Sequence, residues 1–248
     1  MIKHLPNIIT SLNLLCGGVA ILFTVSGDLI IAGVFVFLGI FFDFFDGLVA
    51  RALNAQSAIG VQLDSLADMV TCGVVPSLVM VQLLQVSFYG EIRPLTEIFS
   101  ARAWNTGIDS YYPLVGLLIM VASAYRLAKF NVDTRQTHHF IGLPTPANTL
   151  LILSFPLIFE YQYSHTIENV LFNKWFLIGM TVVSAFLLNA EIPLFAFKFK
   201  TWGFKENIQK YVFVILAVIL LIALKFLAIP IIILLYILLS LLWKVEDI

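Results

Sequence analysis

Apolar residues fill this chain in long runs, and polar residues gather where the runs end. A bilayer core takes about 20 apolar residues per helix. Eight stretches fit that pattern, at residues 8–25, 29–50, 61–86, 114–130, 147–161, 171–188, 209–224 and 229–243. The fifth is short. Only residues 225–228 separate the last two, where Pro230 either kinks one long segment or starts a new one. The longest polar connections are 87–113 and 131–146, and there is no fixed-period repeat or low-complexity tract. The pattern predicts an all-α integral membrane protein of about eight transmembrane helices, forming one polytopic domain over residues 1–248.

Composition agrees. Hydrophobic residues make up 60% and charged residues 12%, with a mean hydropathy of +0.99; a soluble domain carries about 25% charged residues. A net charge of −1 points to neither nucleic acid nor an acidic partner. Cys16 and Cys72 lie inside apolar runs without a spacing motif, so both read as packing residues. No cleavable signal peptide is evident after Lys3 and His4. With eight spans, Lys3, Arg51, Arg126, Lys129, Arg135, Lys198, Lys200, Lys205, Lys210 and Lys244 fall on one side, against Arg93, Arg102, Lys174 and Lys225 on the other. Ten against four places both termini, and the connection between the second and third helices, in the cytoplasm of a cell membrane.

Four of the eight aspartates break the pattern. Asp43, Asp46, Asp64 and Asp68 fall within 26 residues, at the end of the second run and the start of the third. Spacings of three and four put each pair on one helix face, and the short linker makes the two helices antiparallel neighbours. The carboxylates then converge on one cytoplasm-facing pocket near the membrane surface. A helix-centre aspartate costs about 2.5–3.5 kcal/mol on insertion scales, and four together repel one another. Arg51 alone leaves three negative charges uncompensated, whereas two divalent cations neutralise the cluster. Oxygen-only ligands select hard ions, Mg2+ or Mn2+ ahead of Ca2+, with Zn2+ disfavoured. Magnesium shares its shell with substrate phosphates, which points to two-metal phosphoryl chemistry. Helix-end carboxylates facing solvent are the plainer alternative. Gly47, Ala50 and Gly60 read either as helix-packing residues or as places where a phosphate approaches the backbone. Arg51 reads as a snorkelling residue or as a partner for a pyrophosphate oxygen.

The full string is Asp43-x2-Asp46-Gly47-x2-Ala50-Arg51-x8-Gly60-x3-Asp64-x3-Asp68. It resembles, without departure, the signature of the CDP-alcohol phosphotransferase family. Eight specified positions would match by chance about once in a billion start points or less. The resemblance implies a six-helix core, two metals on the four aspartates, a homodimer, and Asp68 as general base. The reaction implied is attack of an acceptor hydroxyl on the lipid-bearing phosphorus of a CDP-linked lipid, expelling CMP.

Two further stretches bear on the substrates. In Pro6-Asn7-x2-Thr10-x2-Asn13, Asn7 and Thr10 read as helix caps, or, by the resemblance, Asn7, Thr10 and Asn13 reach the CDP-lipid. The second runs from Tyr125-Arg126-Leu-Ala-Lys129-Phe-Asn131 to Gly142-Leu-Pro144-Thr145-Pro146-Ala147. It reads as a basic helix end and a turn, with Thr145 or Asn148 as a cap. It is also similar to the branch of the family that uses CDP-diacylglycerol and L-serine. That likeness implies Arg126 for the acceptor carboxylate, with Lys129, Asn131 and Thr145 completing the pocket and Asp133 near the ammonium. Glycerol-3-phosphate or an inositol acceptor would suit the same cations. His138 and His139 read as loop residues. A transporter is the alternative of another class, disfavoured because the acids cluster at one face and no inverted repeat is present.

Overall fold

The computed structural model describes residues 4–91, 94–95, 111–133, 139–195, 203 and 207–242. Helix α1 (Leu5–Ser26) ends on Gly27 in the left-handed conformation (φ 91°). The adjacent Asp28 side chain accepts from the Ile31 amide and opens α2 (Leu29–Ala52). The two helices form a tight hairpin. A turn through Asn54 (φ 48°) leads to Ser57, whose hydroxyl accepts from the Gly60 amide at 3.0 Å and starts α3 (Ala58–Asp68).

After α3 the helix widens into a π-helical turn (Met69–Val74) and continues as α4 (Val75–Tyr89). Pro76 has no N–H for the Cys72 carbonyl four residues earlier. The Thr149 hydroxyl donates to that carbonyl instead, at 2.9 Å. The segment Ala58–Tyr89 is the central column, far more buried than its neighbours. A 3-10 turn (Tyr112–Leu117) leads into α5 (Leu118–Val132), and a Cβ on Gly116 would lie 2.8 Å from the Val81 amide nitrogen. Strand β1 (His139–Ile141) precedes α6 (Thr145–Tyr161). Helices α7 (His165–Leu171) and α8 (Lys174–Asn189) meet at a 58° bend. Strand β2 (Pro193–Phe195) pairs antiparallel with β1, His139 facing Phe195. The chain closes with α9 (Ile208–Leu224) and α10 (Ala228–Leu242).

All eight apolar runs are helical. By length and composition, five stretches are fit to cross a membrane: Leu5–Ser26, Leu29–Ala52, Ala58–Tyr89, Tyr112–Val132 and Lys210–Leu242; the bent pair makes six. The expected number of about eight is reached once two further features are counted. Helix α6 has 17 residues, roughly 25 Å. Lys210–Leu242 folds back on itself at Lys225 (φ 50°), so the Phe213 and Tyr236 rings lie 5.7 Å apart. A straight helix would separate them by roughly 35 Å, so α9 and α10 are two arms of a hairpin. Gln162 at the end of α6 holds the turn, donating to the Leu224 carbonyl and accepting from the Leu227 amide, both at 3.0 Å.

Large apolar side chains such as Leu22, Phe41, Ile222 and Leu242 point outward, while Thr24, Gln82, Gln85, Asn148 and Thr181 are buried. This inside-out arrangement is that of a multi-pass membrane protein. Glycines at the helix crossings allow the close approach. A Cβ on Gly17 would meet the Thr71 hydroxyl at 2.5 Å, and one on Gly39 would meet Thr71 Cγ2 at 2.7 Å.

Candidate active site

Asp43 and Asp46 project from the last ten residues of α2, and Asp64 from α3. One carboxylate oxygen from each lies within 4.8 Å of the others. Asp68 stands outside this trio, with its carboxyl within hydrogen-bonding reach of Asp43, which also reaches Asp64. Asp43 is therefore the centre of the cluster. Helix α3 starts at Ala58, three residues before the apolar run, because Ser57 caps it. Asp64 and Asp68 thus lie six and ten residues into the helix and not in its first turns, so the site is deeper than its sequence position implies.

Neither Asn7 nor Thr10 is a helix cap, since α1 begins at Leu5. Thr10, wholly inside, donates its hydroxyl proton to Asp46 at 2.5 Å. Asn13 is fully buried; its amide donates to Asp68 at 3.3 Å and its carbonyl accepts from Thr71 at 2.8 Å. Helix α1 therefore anchors a carboxylate on each of the other two. Among the described residues no lysine or arginine pairs with any of the four aspartates. Two like charges 4 Å apart repel by about 4 kcal/mol at an effective dielectric constant of 20. The donor set is all carboxylate oxygen, the set that hard divalent cations take. These residues fit a divalent metal.

Beside the trio lies a cavity of about 510 Å3 between the start of α1, the end of α2 and the start of α3. Asn7, Thr10, Gly47, Ala50, Arg51 and Gly60 line it, with Asp46 and Asp64 at its metal-facing side. Its size is that of a small-ligand pocket. A Cβ on Gly60 would stand 3.2 Å from the Asn7 side-chain oxygen, and one on Gly47 would stand 3.8 Å from the Arg51 guanidinium. Asn13 does not line the cavity; its two hydrogen bonds make it a support for Asp68.

Arg126 on α5 does not line this cavity. Its side chain is buried, its Nε has no hydrogen-bond partner among the described residues, and it lies within electrostatic reach of Asp68. Its guanidinium carbon is 5.9 Å from the Phe130 ring centroid. The other acceptor candidates are engaged elsewhere. Lys129 pairs with Glu191 at 2.8 Å. The Asn131 amide donates to Ser65 at 2.9 Å, tying α5 to the residue beside Asp64. Thr145 is buried at the start of α6, where neither it nor Asn148 caps the helix. Asp133 follows the last turn of α5, its amide on the Lys129 carbonyl at 2.9 Å. Arg135 and His138 lie outside the described residues, and His139 belongs to β1.

Buried polar atoms on either side of the π-helical turn were not anticipated as site groups. Ser123 Oγ and both carboxamide atoms of Asn148 have no hydrogen-bond partner among the described residues. Ser123 packs on Gly73, its Cβ 3.2 Å from where a Gly73 Cβ would be, and Thr149, next to Asn148, binds the Cys72 carbonyl. Unpaired buried polar groups are uncommon and call for a partner.

The family profile described as CDP-alcohol phosphatidyltransferase matches residues 3–187, ending just short of the end of α8. A CDP-diacylglycerol–serine O-phosphatidyltransferase of Bacillus subtilis is 38% identical over 157 residues, covering 62% of this chain and 76% of its own length. One of the same description from Helicobacter pylori is 30% identical over 210 residues, covering 84% and 78%. An archaetidylserine synthase of Methanothermobacter thermautotrophicus is 30% identical over 162 residues, covering 64% and 60%.

Proposed function

Because this chain belongs to the CDP-alcohol phosphatidyltransferase family, we propose that it transfers the phosphatidyl group of CDP-diacylglycerol to L-serine, giving phosphatidylserine and CMP. The observation that carries the acceptor is Arg126, a buried cation outside the nucleotide-sized cavity, with a donor that no described residue pairs and within electrostatic reach of Asp68. The names of the relatives from Bacillus subtilis and Helicobacter pylori point to the same acceptor.

The cytidine diphosphate occupies the cavity lined by Asn7, Arg51 and Gly60, where Arg51 meets a pyrophosphate oxygen. Asp43, Asp46, Asp64 and Asp68 would hold two divalent cations. Mg2+ or Mn2+ suits these oxygens. Such ions, when bound, offset the pyrophosphate charge and make CMP a better leaving group. Arg126 takes the serine carboxylate and turns the hydroxyl toward Asp68. The serine oxygen bonds to the lipid-bearing phosphorus as the bond from that phosphorus to the CMP oxygen breaks. Asp68 accepts the hydroxyl proton, since an alcohol is too weak a nucleophile to attack unaided at neutral pH. Thr10 and Asn13 hold Asp46 and Asp68 in place throughout.

The acyl chains stay in lipid while the nucleotide enters from the cytoplasmic face of the cell membrane, the side on which the lysine and arginine excess places both termini. A Ser57→Cys probe at the α2–α3 turn then reacts with a membrane-impermeant thiol reagent only from the cytoplasmic side; reaction from outside contradicts this orientation. The active form is a homodimer, in keeping with the family resemblance. Removing the base is the test of the chemistry. Asp68→Asn lowers CMP release by about 10^3-fold or more, within the range of general-base loss, while CDP-diacylglycerol binding stays within threefold. Near-normal turnover in that variant contradicts the assignment.

A further inference from the structure

Thr71 has no part in the aspartate string, yet it stands one hydrogen bond from Asn13, the support of Asp68. It is the third residue of the π-helical turn and is wholly buried. Its hydroxyl donates to the Asn13 side-chain oxygen at 2.8 Å, with the Asn13 backbone carbonyl also in reach at 3.2 Å. The Asn13 amide donates in turn to Asp68 at 3.3 Å. Asn13 is fully buried as well, so bulk water does not stand in for either partner.

Two glycines make room for the pair. A Cβ on Gly17 would fall 2.5 Å from the Thr71 hydroxyl oxygen. One on Gly39 would fall 2.7 Å from Thr71 Cγ2 and 2.9 Å from the Asn13 side-chain oxygen. Helix α1 therefore closes on the hydroxyl side of Thr71 and α2 on its methyl side. The groups at the two ends of a buried carboxamide decide which way it faces. Asp68 as a carboxylate only accepts, which selects the N–H2 end. The Thr71 hydroxyl supplies the donor that the oxygen end requires. Without it a buried carbonyl oxygen loses its donor, an arrangement relieved only by moving the side chain away from Asp68.

We propose that Thr71 is a positioning residue for Asp68, acting through Asn13: its hydroxyl holds the carboxamide so that the N–H2 end steadies the carboxylate. The π-helical turn then serves the chemistry through its own third residue as well as through the aspartates that precede it. The proposal rests on the reading of Asp68 as general base. Neither Thr71 nor Asn13 lines the nucleotide cavity, so the change falls on turnover and not on CDP-diacylglycerol binding.

The test separates the hydroxyl from the packing around it. Thr71→Val keeps the methyl that faces Gly39 and loses the donor; Thr71→Ser keeps the donor and loses the methyl. Purified full-length enzyme, these two variants, Asn13→Ala and Thr71→Val combined with Asn13→Ala are compared at saturating Mg2+. CMP release is expressed per site that binds CDP-diacylglycerol, so loss of folded protein does not count as loss of rate. Thr71→Val is expected to lower kcat about tenfold, the order of one buried hydrogen bond, with KM for both substrates within about twofold. Thr71→Ser is expected to stay within about threefold of the unaltered enzyme, since the hydrogen bond survives. A packing role alone reverses that order, because only serine leaves a void. In the Asn13→Ala background Thr71→Val has little further effect, because both act through one contact. A Thr71→Val enzyme at least as active as Thr71→Ser, or full additivity with Asn13→Ala, overturns the proposal. Asp68→Asn is measured alongside: near-normal turnover in that variant overturns the general-base reading and the proposal with it. An inactive Asp68→Asn together with a normal Thr71→Val overturns the proposal alone.

Discussion

Single residues decide how closely α1 can approach the central column. At Gly17 a Cβ would sit 2.5 Å from the Thr71 hydroxyl and 3.1 Å from Thr71 backbone atoms, and backbone cannot swing aside. At the adjacent Gly18 nothing lies within 4 Å. Gly17→Ala should therefore cost about 1–3 kcal/mol, the range for overpacking, and lower turnover by displacing the Thr71–Asn13–Asp68 chain, whereas Gly18→Ala is close to neutral. Thermal unfolding in detergent and CMP release check this; equal behaviour of the two variants contradicts it. The aspartates and Arg51 were legible because their chemistry is written in local spacing. Gly17, Thr71, Asn148 and the support role of Asn13 were not, because each acquires its meaning from a helix tens of residues away. Lys129 and Asn131 show the converse: their types suit an acceptor, but Glu191 and Ser65 engage them.

The element that joins catalysis to packing is the π-helical turn between α3 and α4. A π turn acts as one extra residue in an α-helix, so it rotates Asp64 and Asp68 relative to the buried face from Val75 to Val86 by roughly 100°. Both faces must be right together. Removing Val70 should restore a continuous α-helix and turn one face away, reducing CMP release to the level of Asp68→Asn even where the protein still reaches the membrane. Substantial activity in the deletion variant would show that the turn is incidental. Periodicity reads such a segment as one helix, since an extra residue within a mostly apolar run leaves no mark. The start of α3 was blurred for a related reason, because hydropathy begins at Val61 while the cap at Ser57 sets the true first turn.

At the scale of the molecule, two parts have separate tasks. Helices α1 to α3 build the aspartate site and its cavity, and the α9–α10 hairpin packs against the end of α6 and against β2. All eight apolar runs were legible from hydropathy alone, including the hairpin arms. Their fit to a bilayer was not, because α6 is short and α9 and α10 are shorter than a full span. The acceptor was the least legible feature, since glycerol-3-phosphate satisfies the same cations as serine, and it is the relatives described as acting on serine that favour the latter. The most direct measurement offers the purified protein CDP-diacylglycerol with Mg2+ or Mn2+ and, in turn, serine, glycerol-3-phosphate or inositol, and identifies the lipid product by mass. Phosphatidylserine and CMP in equal amounts, formed with serine alone and abolished by chelation, is the predicted result. A phosphatidylglycerophosphate or phosphatidylinositol product, or phosphatidylserine formed undiminished after chelation, would contradict the account.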